Sequence, residues 1–177
     1  MDCGLNCASI GAISVDKDKE SLMIKQNKTS EAFWEQKRLS EMSHEQWEQL
    51  CDGCGRCCLH KLEDEQDGRM YYTRAACELL DIGSCRCKNY EQRQTFVPDC
   101  IQLSIEQAHY FDWLPETCAY RLLAEGEPLP LWHPLITGDP ESVVRAGVSV
   151  RHIAVPEDQI EDITEEVIAL QRPVQPS

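Results

Sequence analysis

Four thiols fall within the eight residues Cys51-Asp52-Gly53-Cys54-Gly55-Arg56-Cys57-Cys58. A hydrophobic core has no use for that spacing, whereas a metal does. Cysteines two residues apart let one tight turn aim two sulfurs at a single ion. Thiolate sulfur suits zinc and iron–sulfur clusters, both tetrahedral at the metal. Gly53 and Gly55 tolerate the positive φ that such a turn requires. Backbone N–H groups there then point at the sulfurs and offset their charge. Cys57 and Cys58 are adjacent, so their side chains leave the chain on different sides. The run predicts two neighbouring sites or one polynuclear cluster. Cys51, Cys54 and Cys57 form one group, and Cys58 turns toward later thiols such as Cys77, Cys87 and Cys100.

Cys77, Cys85, Cys87, Cys100 and Cys118 extend the candidate metal ligands beyond the run. What eleven cysteines mean depends on the compartment. The N-terminus carries no charged-then-apolar signal pattern, and no apolar run is long enough to span a membrane, so a cytoplasmic location is expected. In a reducing compartment clustered thiols read as metal ligands rather than as a disulfide framework. A formal charge of −14 argues against nucleic acid and anionic membrane as partners. The expected partner is a metal ion, zinc or iron, an iron–sulfur cluster included; the sequence is silent on protein partners. Mean hydropathy of −0.45 with 42% hydrophobic residues fits a soluble globular protein.

Residues 1–30 read as a disordered extension, with Cys3 and Cys7 as unpaired tail thiols. Residues 31–170 read as a single metal-binding domain, and residues 171–177 as a flexible tail. An amphipathic helix starts near Ser30. Ser43 and Gln46 form a capping box for a short helix that runs into Cys51, with Trp47 beside the site. Met70–Thr73 reads as a strand, and Ala75–Leu80 as a helical turn carrying Cys77. Cys85 and Cys87 are two apart, which puts both thiols on one face. Ser104 and Gln107 predict a helix over about 105–111, and Leu114–Leu123 another, begun at Pro115 and ended by Gly126. Asp139 and Pro140 open a further helix. Val148–Val155 reads as the clearest strand and Glu157–Leu170 as a helix. The fold class expected is α+β, mainly short helices with little sheet around an irregular, metal-stapled, cysteine-rich centre.

Arg56, Lys61, Arg69, Arg74, Arg86, Lys88 and Arg93 concentrate among the cysteines. They read either as compensation for thiolate charge or as a solvated surface. His60 is the histidine nearest the run, as a mixed-site ligand or a surface side chain. Cys118 reads equally as a ligand and as a small buried hydrophobe.

Several stretches resemble the bacterial YcgN-like proteins of the wider CxxCxxCC cysteine-cluster family. They are Cys51 to Leu62, Cys85-x-Cys87-x-Asn89-Tyr90-Glu91-x-Arg93 and Pro98-Asp99-Cys100. Trp113-Leu114-Pro115-x-Thr117-Cys118-Ala119-Tyr120-Arg121-Leu122-Leu123 and Ser149-Val150-Arg151-His152-Ile153-Ala154 extend the likeness, which runs from about Phe33 to Ile168. The resemblance implies chelation of zinc or iron and brings no established reaction.

The first functional reading is a metal-binding protein whose sulfur site is structural or handles metal. The alternative is an iron–sulfur or iron-dependent redox enzyme or electron carrier. Against a simple ferredoxin, Lys61 stands where the pattern C-x2-C-x2-C-x3-C-P needs its fourth cysteine. A metal-free thiol switch ranks last, because Cys57 and Cys58 would form a strained vicinal disulfide. No phosphate loop, nucleophile elbow or zinc-protease helix is present, so whether a reaction is catalysed stays open.

Overall fold

The structure, a computed structural model, describes residues 32–170 and residue 173. The expectations for residues 1–30, for Cys3 and Cys7 and for most of the tail lie outside the described residues. The candidate site lies wholly within the unit Trp34–Ser177.

Short helices and small sheets alternate, as an α+β chain should. Helix α1 is Phe33–Gln36 and α2 is His44–Gln49. Strands β1 (Leu59–Glu63) and β2 (Met70–Ala76) form an antiparallel hairpin. Its turn is set by Asp64, whose carboxylate accepts from Gln66 N at 2.8 Å. Strands β3 (Leu80–Asp81) and β4 (Arg86–Cys87) make a second, two-stranded sheet. Helices α3 (Arg93–Phe96), α4 (Ala119–Glu125), α5 (Pro134–Thr137) and α6 (Ser142–Arg145) follow. Strands β5 (Val155–Pro156) and β6 (Val167–Ile168) return to the first sheet.

β2 is the organising strand. It pairs with β1 over most of its length, parallel with β5 at Ala75 and Ala76, and antiparallel with β6 at Tyr72 and Thr73. The register between β1 and β2 slips between Leu59 and Lys61, so this strand leaves the cysteine run through an irregularity. Two buried clusters flank the run. One holds Cys54, Trp132, Val143, Ala146 and Val148; the other holds Leu59, Ala76, Leu80, Cys85 and Val150.

The capping box at Ser43 forms as expected: Ser43 Oγ accepts from Gln46 N at 3.3 Å and Gln46 Oε1 from Ser43 N at 3.1 Å. Gly126, in the left-handed conformation, ends α4. Five expectations are corrected. Ala75 and Ala76 belong to β2, because their backbones pair with Val155 and Pro156; Cys77 follows in a turn. Val148–Val155 is not a strand. Val148 and Val150 are fully buried, Ser149 Oγ caps a 3-10 turn at Val150–His152, and only Val155–Pro156 is extended. Glu157–Leu170 is not a helix, since Asp162 caps a separate turn at Ile163–Glu166 and the chain then pairs with β2. Residues Ile105–Trp113 form 3-10 turns with a kink at Tyr110, and Ser104 makes no side-chain cap. Helix α4 itself starts only at Ala119, with Cys118 in the capping position.

Candidate metal centre

The first cysteine is placed by a buried histidine. α2 ends at Leu50, which is fully buried, and His133 Nε2 lies 3.2 Å from Leu50 O. His133 Nδ1 accepts from Leu135 N at 3.1 Å, so the other ring nitrogen is the donor and the ring is neutral. Burial pushes the His133 pKa down, against the opposing charge of Asp52. Trp47 packs on Tyr120 at 4.8 Å between ring centroids, and Tyr120 donates to Trp47 O at 2.9 Å.

The loop is then bent by its glycines and stitched to a distant segment. Gly53 and Gly55 have φ of 73° and 77°. A Cβ on Gly55 would meet Val150 Cγ2 at 2.6 Å, so only glycine fits against that valine. Arg56 is 3% exposed, and its guanidinium donates to Val148 O at 2.6 Å. Val150 N donates to Cys54 O at 2.8 Å. A long-range strap thus holds a loop that has no regular structure of its own.

Four thiols share one neighbourhood. Burial drives the Cys51 thiol up from its ordinary 9.0 to about 12, Cys57 and Asp52 add to it, and Gly53 N–H and Arg86 oppose it. Cys54 is raised by burial and then by Asp52, Cys57 and Cys51. Cys118 is pushed up to about 12 by burial, with Asp52 and Cys57 adding. Cys57 is raised by its contact with Cys58, whose sulfur is 3.9 Å away, then by burial. Cys51 and Cys57 keep one side open to solvent. Backbone N–H groups reach three of the sulfurs: Gly53 to Cys51, Arg56 to Cys54, and Arg121 and Tyr120 to Cys118.

A second neighbourhood lies beyond. Cys77 is raised by burial, and then by Glu157, Cys100 and Cys87. Cys100 is raised by burial and by Cys87 and Cys57, and is lowered by Arg93. Cys57 therefore acts on both groups. Cys58 is tied to the second by its backbone, because Cys77 N donates to Cys58 O at 3.0 Å.

Cys85 lies in the core behind the loop, its sulfur 3.5 Å from where a Cβ on Gly55 would stand. It stands at φ 53°, is 6% exposed, and its sulfur contacts Ser149 Oγ at 3.3 Å and Ile82 O at 3.5 Å. The left-handed backbone breaks strand alternation, so Cys85 and Cys87 do not share a face as expected. His60 is turned to Glu157, which also accepts from Glu78 N. Among the described residues, no three His, Cys, Asp or Glu side chains already stand in ligand geometry.

The basic residues divide. Arg86 acts on Cys51, Lys61 on Cys57 and Arg93 on Cys100. Lys61 Nζ donates to the carbonyls of Cys57 and Leu59 at 2.8 Å each and lies over the rings of Tyr72 and Trp113. Burial lowers its pKa, and Cys57 and Cys58 oppose that. Arg74 instead pairs with Glu166, and Arg69 with Asp67. Next to Lys61, Tyr72, Trp113, Thr117 and Arg121 help line a cavity of about 540 Å³. Sequence reasoning missed His133 and Asp52; His133 follows a proline-rich stretch whose fold contacts no local pattern encodes.

A family described as a "putative zinc- or iron-chelating domain", CxxCxxCC, matches residues 50–119, the span that holds all nine candidate thiols. A UPF0260 protein of Rhizorhabdus wittichii is 57% identical over 136 residues, 77% of this chain and 93% of its own. One of Azotobacter vinelandii is 59% identical, over 75% of this chain and 92% of its own. The chain belongs to the UPF0260 family. A further member, from Klebsiella pneumoniae, is 52% identical over 80% of this chain and 96% of its own. No solved structure matches the chain. Among the described residues, no helix is long and apolar enough to cross a membrane.

Proposed function

We propose that the chain chelates zinc or iron through thiolates drawn from two adjoining groups. Cys51, Cys54, Cys57 and Cys118 make the first; Cys58, Cys77, Cys87 and Cys100 make the second. The observation that carries this reading is the turn itself: Cys51, Cys54, Cys57 and Cys58 crowd eight residues of the span that the chelating-domain family matches, and the Cys57 and Cys58 sulfurs stand 3.9 Å apart. The donor chemistry fits a soft or borderline cation. Crowded thiols that resist ionisation while alone become thiolates when a cation offsets their charge.

The residues around the sulfurs have distinct tasks. Gly53, Arg56, Tyr120 and Arg121 aim backbone N–H groups at them. Arg86, Lys61 and Arg93 supply positive charge. Tyr120 and Tyr72 border the first group, and Trp47 packs on Tyr120 behind it. A bound cation supplies the charge that lets the thiols ionise together. Cys85, locked in the core, is left out of the set.

All nine described cysteines are free, which supports a reducing, cytoplasmic setting. The sharing of Cys57 favours a second reading, a polynuclear centre such as an iron–sulfur cluster with a redox role. Purification without oxygen, with elemental analysis and absorption spectra, separates the two. Colourless protein with zinc supports mononuclear sites; brown protein with iron and labile sulfide supports the cluster. A folded chain that takes up neither metal overturns both.

A further inference from the structure

We infer that Asp52 is itself a ligand, one carboxylate oxygen completing a four-donor shell with three of the sulfurs that the Cys51–Cys57 turn and Cys118 supply. The inference rests on the metal-binding reading above and adds to it a donor that the cysteine pattern does not contain.

Asp52 lies inside the first loop and is only 7% exposed. Its two oxygens differ. Oδ1 accepts the Cys54 N–H at 2.9 Å and so shapes the turn between the first two cysteines. Oδ2 is buried and has no hydrogen-bond partner. Burying a carboxylate oxygen with no donor is costly, and native proteins seldom do it without a cation or a proton nearby. The fold could have relieved that cost by turning the side chain outward. Instead it fixes the carboxylate by Oδ1 and leaves Oδ2 inside the loop.

The surroundings say what Oδ2 is for. Asp52 stands between Cys51 and Cys54 in the turn, tied to Cys54 N–H through Oδ1, with its second oxygen buried beside them. Four thiols around a buried carboxylate make a pocket of repelling negative charge once any of them ionises. Arg56 also feels Asp52, but its guanidinium is directed to Val148 O and Gly147 O at 2.6 and 3.4 Å, and the Arg86 guanidinium, packed against Gly53, makes no hydrogen bond to Oδ2. A divalent ion among the sulfurs satisfies Oδ2 and the thiols together. Carboxylate oxygen binds zinc at about 2.0–2.2 Å beside sulfur at about 2.3 Å, so both donor types reach one ion.

The test uses the full chain without oxygen and Co2+ as the probe. Asp52→Asn keeps an oxygen for the Cys54 N–H but removes the anionic donor. It should weaken Co2+ binding at least tenfold and shift the d–d bands. Asp52→Cys should add one thiolate's share of sulfur-to-cobalt charge-transfer intensity per cobalt. Zinc X-ray absorption of the unaltered chain, which needs no variant, should show an oxygen neighbour near 2.0–2.2 Å beside the sulfurs. An all-sulfur zinc shell overturns the inference. So does weaker Co2+ binding in Asp52→Asn with unchanged bands, which would mark Asp52 as acting only through its hydrogen bond. Failure of the unaltered chain to bind Co2+ or zinc brings down the metal-binding reading, and the inference with it.

Discussion

The two cysteine groups are held in different ways. The first is strapped from afar: Arg56 and Cys54 bond to residues 147–150, Leu50 to His133, and Gly55 presses on Val150. The second rests on nearby turns. Cys77 follows β2, Cys87 sits in a two-residue strand, and Cys100 follows α3, its N–H donating to Val97 O at 2.9 Å. Its four thiols are all half-buried, whereas the first group runs from Cys54, 8% exposed, to Cys51 and Cys57, which are open to solvent. The lesson is that the backbone around the first group is shaped by distant contacts and that around the second by local chain.

That contrast is sharpest at glycine. Gly55→Ala should be the most damaging single change, because it combines a positive φ with a 2.6 Å collision against Val150. A loss of about 3–5 kcal/mol is expected from overpacking plus backbone strain. Gly138→Ala has the same handedness but open space around it, and should cost only about 1 kcal/mol. Thermal melting of both variants checks the ratio; equal losses would mean that Val150 does not hold the loop.

Removing the histidine anchor should come next. His133→Ala strips donors and acceptors from two buried backbone groups and leaves a cavity, costing about 2–4 kcal/mol. Metal-free protein should already show the loss in a denaturant titration. Cys100→Ser, in the second group, should leave that metal-free stability within about 0.5 kcal/mol, as for a substitution outside tight packing.

The pH dependence separates metal-free from metal-loaded chain. Cys51 and Cys118 titrate near 9.0 when unfolded and near 12 when folded, so the folded state binds more protons in between. Their contribution is full below pH 9 and is lost as pH rises through 9 toward 12. Metal-free protein should therefore melt at lower temperature as pH rises above about 9. Loaded protein should resist this rise, because its ligand thiols are already deprotonated. Parallel curves for the two forms would remove these thiols from the site. The smallest effect belongs outside both groups: Ser43→Ala should cost about 1 kcal/mol through the lost helix cap and leave metal content unchanged.

What could be read ahead of the structure was local. The Ser43–Gln46 box, the strand at Met70 and the end of α4 at Gly126 all depend on neighbours a few residues apart. The approach of Cys118 to Asp52 and Cys57, the strap from Arg56 and the inward turn of His133 depend on contacts tens of residues away. The apolar runs at Val148 and after Glu157 misled for the same reason. Val148 and Val150 are buried against the cysteine loop rather than in a sheet, and the repeat at Ile160, Ile163 and Val167 is cut by the Asp162 cap. Cys85 and Cys87 looked alike by spacing, yet one backbone torsion sends Cys85 into the core.

The most direct measurement is metal per chain, by elemental analysis after purification without oxygen, for the unaltered protein, Cys57→Ser and Cys85→Ser. Cys57 acts on both sulfur groups and Cys85 on neither ion, so metal should fall sharply in Cys57→Ser and persist in Cys85→Ser. Equal metal content in all three proteins, or none in any, would contradict the account.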